Sequence, residues 1–139
     1  MLCPKCSTPL TEKYYKGMLP VDYCPLCRGM WLDFDELDRL EDAAFDQDAL
    51  KGSLLHRETD SLRVCPSCGG ELREFQYRLY DLKLDWCPAR HGFWLDAGEE
   101  ERVQALMLRR AGEVRRKQAA EGEWQNLLKG LHQFLKQRP

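Results

Sequence analysis

Seven cysteines are the residues with chemistry to offer, and their spacing narrows that chemistry. Cys3 and Cys6, Cys24 and Cys27, and Cys65 and Cys68 form three Cys-x-x-Cys pairs, and Cys87 stands alone. The first two pairs are separated by 17 residues, the spacing at which four thiolates converge on one tetrahedral, redox-inert ion, Zn2+. Iron is a rarer occupant of the same ligand set. The first site is therefore Cys3, Cys6, Cys24 and Cys27. The second has Cys65, Cys68 and Cys87, but Arg90 stands where the first has Cys27, and a guanidinium has no lone pair to give. His91 follows, and an imidazole reaches farther than a thiol, so Cys-x3-His completes the set with the ligand moved along by one. Two other readings stay open at this point: a three-cysteine site with His91 at the surface, and a zinc ion with one open position, as in catalytic sites. Against the last, no His-Glu-x-x-His accompanies the cysteines. A thioredoxin-like use would place the pair at a helix start within a βαβ pattern; here Pro and Gly surround it.

The chain repeats itself once. Cys3 and Cys65 are 62 residues apart, Cys24 and Cys87 are 63, which puts one extra residue in the second copy, expected around Leu79–Asp81 opposite Lys16-Gly17. Between the cysteine pairs, Leu19, Val21 and Tyr23 alternate, as do Leu82, Leu84 and Trp86. That period of two predicts a β-hairpin in each copy, with residues 10–15 and 72–78 as the opposite arms. Asp33 with Glu36 and Asp96 with Glu99 have the spacing of capping boxes, so a helix is expected after each site. A fragment of ~30 residues buries too little to fold alone, and structural zinc contributes ~10–16 kcal/mol in small zinc peptides.

These residues carry a resemblance. Cys-Pro-x-Cys, then Cys-Pro-x-Cys-x-Gly-x-Trp-Leu-Asp-x-x-Glu-Leu, resembles the bacterial zinc-ribbon family named for its likeness to the ribbon of transcription factor IIB. The first copy matches through Cys3, Cys6, Cys24, Cys27, Gly29, Trp31, Leu32, Asp33, Glu36 and Leu37, the second through Cys65, Cys68, Cys87, Gly92, Trp94, Leu95 and Asp96. It departs at Arg90 and His91, and Glu100 stands where the first copy has Leu37. The resemblance covers about residues 2–41 and 64–106 and implies fold and metal; it places the chain in gene expression only as an expectation, since fold does not imply function.

The expected fold is a small α+β metal-stabilised protein: two tandem zinc ribbons, each a hairpin with zinc knuckles and each followed by a helix, with a long C-terminal helical extension and two Zn2+ per chain. The expected divisions are 1–49 for ribbon 1 and an acidic helix, 50–62 for a connector, 63–105 for ribbon 2 and the start of a helix, and 106–139 for a basic, amphipathic tail. Trp31 and Trp94 are expected to pack over their sites; the other reading is a stacking platform for bases, and Tyr14, Tyr15, Tyr77 and Tyr80 admit the same two. His56 and His132 are expected at the surface.

Between Asp33 and Asp48 there are eight acids and one base, Arg39, a helix face that repels phosphate. Residues 97–120 predict one long helix, weakened or bent at Gly122. Beyond it Trp124, Leu127, Leu128, Leu131, Phe134 and Leu135 fall at offsets 0, 3, 4, 7, 10 and 11, a bundle or coiled-coil seam. Residues 106–139 hold eight Lys/Arg and three Glu, whereas residues 1–105 hold 13 bases and 20 acids. Four uses follow: the tail folds back on the acidic helix, it dimerises through the seam, it docks in a partner groove, or Arg109, Arg110, Arg115, Arg116 and Lys117 contact nucleic acid. Membrane-surface binding fits less well, because cluster and stripe occupy different segments.

No apolar run approaches the length of a membrane span, and no secretory leader is visible, so a cytoplasmic protein is expected. There is no P-loop, dinucleotide fingerprint or nucleophile–base pair. The sequence therefore points to a non-enzyme: an adaptor docking on a protein or nucleoprotein partner, or on itself, in transcription or translation. The alternative is direct nucleic-acid binding through the basic tail, and a third reading is a zinc enzyme using an open second site.

Overall fold

A computed structural model describes residues 1–137, by backbone alone at residues 48 and 49. In the first copy β1 (Thr11–Tyr15) and β2 (Leu19–Tyr23) form the hairpin, β3 (Met30–Leu32) follows the second knuckle, and α1 (Phe34–Asp42) and the short α2 (Asp48–Lys51) come next. In the second copy β4 (Leu55–Val64) precedes the hairpin of β5 (Glu71–Tyr77) and β6 (Lys83–Trp86), and β7 (Phe93–Leu95) leads into α3 (Glu99–Lys136). The extra residue lies in the second hairpin's turn, where Tyr77 N–H bonds Leu82 O across four residues; in the first hairpin Tyr15 pairs with Leu19 across three.

All seven strands join in one antiparallel sheet, in the order β1-β2-β3-β7-β6-β5-β4. The two copies meet at β3 and β7: Trp31 faces Trp94, Met30 faces Leu95 and Leu32 faces Phe93. Trp31 and Trp94 are the same position of the repeat, and the other two pairs exchange equivalent positions. This is the self-complementary pairing of a twofold dimer, built here within one chain. The flanking pairs obey the same symmetry, with Asp22 opposite Trp31 and Asp85 opposite Trp94.

Strand alternation sorts the sheet into two faces. On one, Leu19, Val21, Met30, Leu32, Phe75, Leu84, Phe93 and Leu95 pack beneath α1 and the first half of α3, which contributes Val103, Met107, Ala111 and Val114. On the other, Trp31 and Trp94 lie with Leu72 among the buried cysteines Cys3, Cys24, Cys65 and Cys87. The helices thus occupy one side and both cysteine clusters the other.

The tryptophans explain the glycines two residues before them. A Cβ on Gly29 would fall 2.3 Å from Trp94 Cζ2, and one on Gly92 would fall 2.5 Å from Leu32 O and 2.9 Å from Trp31 Cε2. Each copy's glycine makes room for the other copy's indole. Trp31 and Trp94 are both buried, so they pack and offer no face to a base.

Several expectations change. The stretch 50–62 is not a bare connector: α2 ends in Lys51, and most of the rest is β4, the ten-residue edge strand beside β5. Its alternation is hidden because it is a polar edge, with register shifts between His56 and Thr59 and between Asp60 and Val64. The two copies are further tied by a buried charge network. Glu41 of α1 accepts from Arg78 Nε at 2.7 Å and from the Tyr77 hydroxyl, and lies 4.0 Å from Lys51 Nζ. Losing Glu41 would strip the Arg78 guanidinium of its carboxylate, whereas Lys51 keeps Asp42 at 2.7 Å and Asp38 at 3.4 Å.

α3 begins at Glu99 and runs unbroken through Gly122 to Lys136. A single glycine costs a helix only ~1 kcal/mol, and strong helix formers offset that; here Ala119, Ala120, Glu121 and Glu123 surround it. The tail does not fold back on α1: every described residue from Arg115 on is exposed.

Candidate metal centres

Cys3, Cys6, Cys24 and Cys27 bring their Sγ atoms together, and so do Cys65, Cys68 and Cys87 with a ring nitrogen of His91; within each group all ligand atoms lie within 4.8 Å of one another. Cys3 and Cys27 are 3.6 Å apart at Sγ, Cys6 and Cys24 3.4 Å, and Cys68 and Cys87 3.7 Å. These separations are far beyond a disulfide bond and close to the ~3.8 Å edge of a tetrahedron of thiolates around zinc. His91 Nδ1 stands 3.4 Å from Cys87 Sγ and 3.9 Å from Cys65 Sγ. Both donor sets, four cysteines in one and three cysteines with a histidine in the other, fit zinc, and each group could hold one ion.

The knuckles show how the ligand moves by one residue. In three of them the residue after the second cysteine is left-handed and its N–H bonds back to the carbonyl of the first: Ser7 to Cys3, Arg28 to Cys24 and Gly69 to Cys65. In the fourth the left-handed residue comes one step earlier. Arg90 (φ 65) bonds back to Cys87 at 2.8 Å, and the tighter turn delivers His91 where the cysteine would be. Arg90 turns away, its guanidinium 4.9 Å above the Phe34 ring.

Backbone N–H groups support the sulfurs. Lys5 and Cys6 donate to Cys3 at 3.4 Å, Cys27 to Cys24 at 3.5 Å, Ser67 to Cys65 at 3.3 Å and Gly70 to Cys68 at 3.4 Å. Burial pushes the Cys3 thiol up to about 12 and Cys65 up to about 11. The Thr8 hydroxyl, 3.4 Å from Cys6 Sγ, holds that thiol down at about 6, and the Gly70 N–H brings Cys68 down to about 7. Each centre thus pairs a ready thiolate with a buried thiol that a cation would ionise, so loading releases protons. Thr8 and Gly70 occupy equivalent positions, and nothing in the cysteine spacing marks them.

The centres differ in cover. In the first, Cys3 and Cys24 are buried and Cys6 and Cys27 half-buried; in the second, Cys68 and His91 are exposed. The helix starts beside them differ too. Asp33 caps α1 in full: its Oδ1 accepts from Glu36 N–H at 2.7 Å, and Glu36 accepts from Asp33 N–H at 2.9 Å. The box expected at Asp96 and Glu99 forms only in part. Glu99 accepts from Asp96 N–H at 2.7 Å, but the Asp96 carboxylate takes Arg63 Nη1 at 2.9 Å and Trp94 Nε1 at 3.1 Å. With that carboxylate engaged, the turn through Gly98 (φ 88) delays α3 to Glu99.

The residues expected to meet a partner separate into two groups. Arg109 is paired with Glu113 at 3.2 Å, and Arg110 donates to Leu50 O at 3.0 Å. Arg115, Arg116, Lys117, Trp124, Leu127, Leu128, Leu131, Phe134 and Leu135 are exposed on the distal part of α3. No described helix is long and apolar enough to cross a membrane.

A family model described as transcription factor zinc-finger, the zinc ribbon of the transcription factor IIB type, matches residues 2–43 and again residues 64–105. No curated protein and no solved structure matches the chain. The two matched segments coincide with the two copies of the repeat and take in all eight candidate ligands, and the chain belongs to the transcription factor zinc-finger family, with its ribbon in tandem.

Proposed function

We propose that the chain is a non-catalytic zinc-binding adaptor that docks on a protein or nucleoprotein partner of the transcription or translation machinery. One Zn2+ is held by Cys3, Cys6, Cys24 and Cys27, another by Cys65, Cys68, Cys87 and His91. The metal supplies cross-links rather than reaction chemistry, because four protein ligands at each centre leave no position for a water. Clefts of about 730 Å3 and 410 Å3 are lined by none of these eight residues.

One observation carries the docking reading: the far half of α3 leaves the body with Trp124 60% exposed, Leu127 64% and Phe134 63%. Single exposed apolar residues are ordinary, but a contiguous stripe marks a contact surface. Direct nucleic-acid binding is less well supported. Arg115, Arg116 and Lys117 are consecutive, so at ~100° per residue they circle the helix instead of lining one strip.

The test compares the full chain with a Trp124→Glu/Leu131→Glu variant as bait in native extract, with and without nuclease. Truncation at residue 105 is unsuitable, since it removes Met107, Ala111 and Val114 from the core. Partners that survive nuclease and vanish with the double variant uphold the adaptor. Capture abolished by nuclease, with affinity falling steeply between ~50 and ~200 mM salt, would move the function to nucleic acid.

A further inference from the structure

We infer that the cleft between the first hairpin and the start of α3 is a docking site for an aromatic side chain of a partner protein, carried on an acidic segment. The contact lies on the body of the protein, separate from the stripe on the far half of α3, and goes beyond the docking reading above. The chain itself supplies the argument, because it fills the equivalent cleft of its other copy.

In ribbon 2 the occupant is Phe34. This residue, next after the capping Asp33, crosses from ribbon 1 into the second hairpin. Its ring lies 4.5 Å from that of Phe93 and 6.3 Å from that of Trp86, edge-on to both. The Arg90 guanidinium closes the site at 4.9 Å, a cation over the face of a ring. Exchanging the copies gives the cleft of ribbon 1. Tyr23 pairs with Met30 as Trp86 pairs with Phe93, and Lys13 with Val21 as Phe75 with Leu84. The left-handed Arg28, bonded back to Cys24, matches the left-handed Arg90, bonded back to Cys87. Ala97 follows Asp96 as Phe34 follows Asp33. The ring alone has no counterpart.

Its place is a cleft of about 410 Å3, lined by Val21, Tyr23, Met30, Arg28 and Ala97 among others. That volume falls within the ~300–1,000 Å3 of ligand sites. Tyr23 is left half-buried where Trp86 is buried. The Arg28 guanidinium has neither carboxylate nor ring against it among the described residues.

Charge selects the occupant. Lys13, Lys16 and Arg28 line the cleft from the hairpin and knuckle, Glu100 and Glu101 from α3. Lys13 Nζ already lies 4.3 Å from the Tyr23 ring centroid. The occupant of the equivalent site, Phe34, stands between Asp33 and Asp35. A partner segment of the same kind sets its ring beneath Arg28 and its carboxylates against the two lysines, away from the glutamates. A nucleic-acid base would carry a phosphate on either side of it, one of them against Glu100 and Glu101.

The experiment is a nitrogen-15 NMR titration of the zinc-loaded full chain with a blocked pentapeptide, Asp-Phe-Asp-Glu-Leu, the sequence of residues 33–37. It is expected to bind with a Kd on the order of 1 mM, shifting the amides of Tyr23, Met30 and Ala97. Asp-Ala-Asp-Glu-Leu should bind at least about tenfold more weakly, having no ring to bury. Arg28→Asn, a residue that tolerates the left-handed backbone, should keep its zinc and weaken binding about fivefold. Ala97→Phe supplies the missing ring from within; it should raise the denaturant midpoint and lose the peptide. Trp124→Glu/Leu131→Glu should bind the peptide as the parent does. No binding, equal binding of the two peptides, or binding that survives Ala97→Phe overturns the inference. Displacement of the peptide by decathymidylate overturns it too, and gives the cleft to nucleic acid. None of these outcomes touches the stripe of α3, whose own test stands apart.

Discussion

Ribbon 1 closes its second knuckle with Cys27 and then the left-handed Arg28; ribbon 2 puts the left-handed residue at Arg90 and its donor atom at His91. Around that change the rest is repeated: the hairpin, the Gly-x-Trp step, and the aspartates opposite the tryptophans, Asp22 and Asp85. The comparison teaches which features the fold holds fixed. Ligand-atom positions and the glycine–tryptophan exchange between copies are kept, while the identity of a ligand and its place in the turn are adjustable. A second difference lies beside the acids. Ribbon 2 sets Arg63 against Asp85 and Asp96, at 3.3 and 2.9 Å. In ribbon 1 burial, with Glu12 and Asp33 nearby, raises the Asp22 carboxyl above its ordinary value.

The largest effect should come from the metal. Stripping zinc from both ribbons removes ~10–16 kcal/mol per site by analogy with zinc-finger peptides, more than a domain of this size holds in reserve, so circular dichroism after chelation should show the sheet lost. The ribbons should then part company under substitution. Cys24→Ser removes a fully buried ligand and should abolish zinc binding at the first centre. His91→Ala removes an exposed one and leaves three thiolates; it should still bind two zinc ions in excess metal but lose the second to a competing chromogenic chelator well before the parent does. Equal resistance of His91→Ala and parent would return the second centre to three cysteines.

The seam between the ribbons comes next. Gly29→Ala drives a methyl into the Trp94 ring, and Gly92→Ala drives one into the Leu32 carbonyl and the Trp31 ring. Overpacking of this kind costs ~1–3 kcal/mol, read from denaturant midpoints. Gly92→Ala should cost more, because an indole can tilt and a strand carbonyl cannot, and because its φ of 157 disfavours any side chain. Equal costs would mean that the two tryptophans do not report the same packing.

These features divide by how much of their cause is local. The cysteine clusters and hairpins were legible because a knuckle and a two-residue alternation are written within a few positions. The role of Gly29 was not, because the atom it makes room for belongs to the other copy. Strand β4 escaped because a polar edge strand with bulges has no alternation to show. The capping box at Asp96 misled because the same Asp-x-x-Glu spacing says nothing of Arg63, 33 residues earlier, which takes the carboxylate. The seam of α3 was legible as a stripe, but its turn away from the body follows only from where Val103 to Val114 dock.

The helix starts give a smaller contrast. Asp33→Ala removes a full N-cap and should cost about 1 kcal/mol, with Asp33→Asn restoring most of it, since an amide oxygen caps nearly as well. Asp96→Asn should not restore Asp96→Ala in the same way, because Arg63 loses a charged partner either way. Urea titrations of the four variants check it; equal rescue at both positions would mean that Asp96 also acts as a cap.

The last contrast is one of pH. Burial raises the Glu99 carboxyl from 4.5 to about 7, against the lowering influence of the Asp96 N–H it accepts. Its counterpart Glu36 is raised as well, again by burial. Since the folded state favours the protonated form of Glu99, the group carries no penalty below pH 4.5, where it is protonated folded or unfolded. The penalty grows as the pH rises from 4.5 to about 7 and is complete above that. Glu99→Gln keeps an oxygen for the Asp96 N–H and removes the ionisation. It should therefore gain stability over the parent, and gain more at about pH 8 than at about pH 6, a range in which acid-driven zinc loss does not intrude. A gain independent of pH would show that Glu99 titrates like any exposed glutamate, and the two helix starts would then differ in geometry alone.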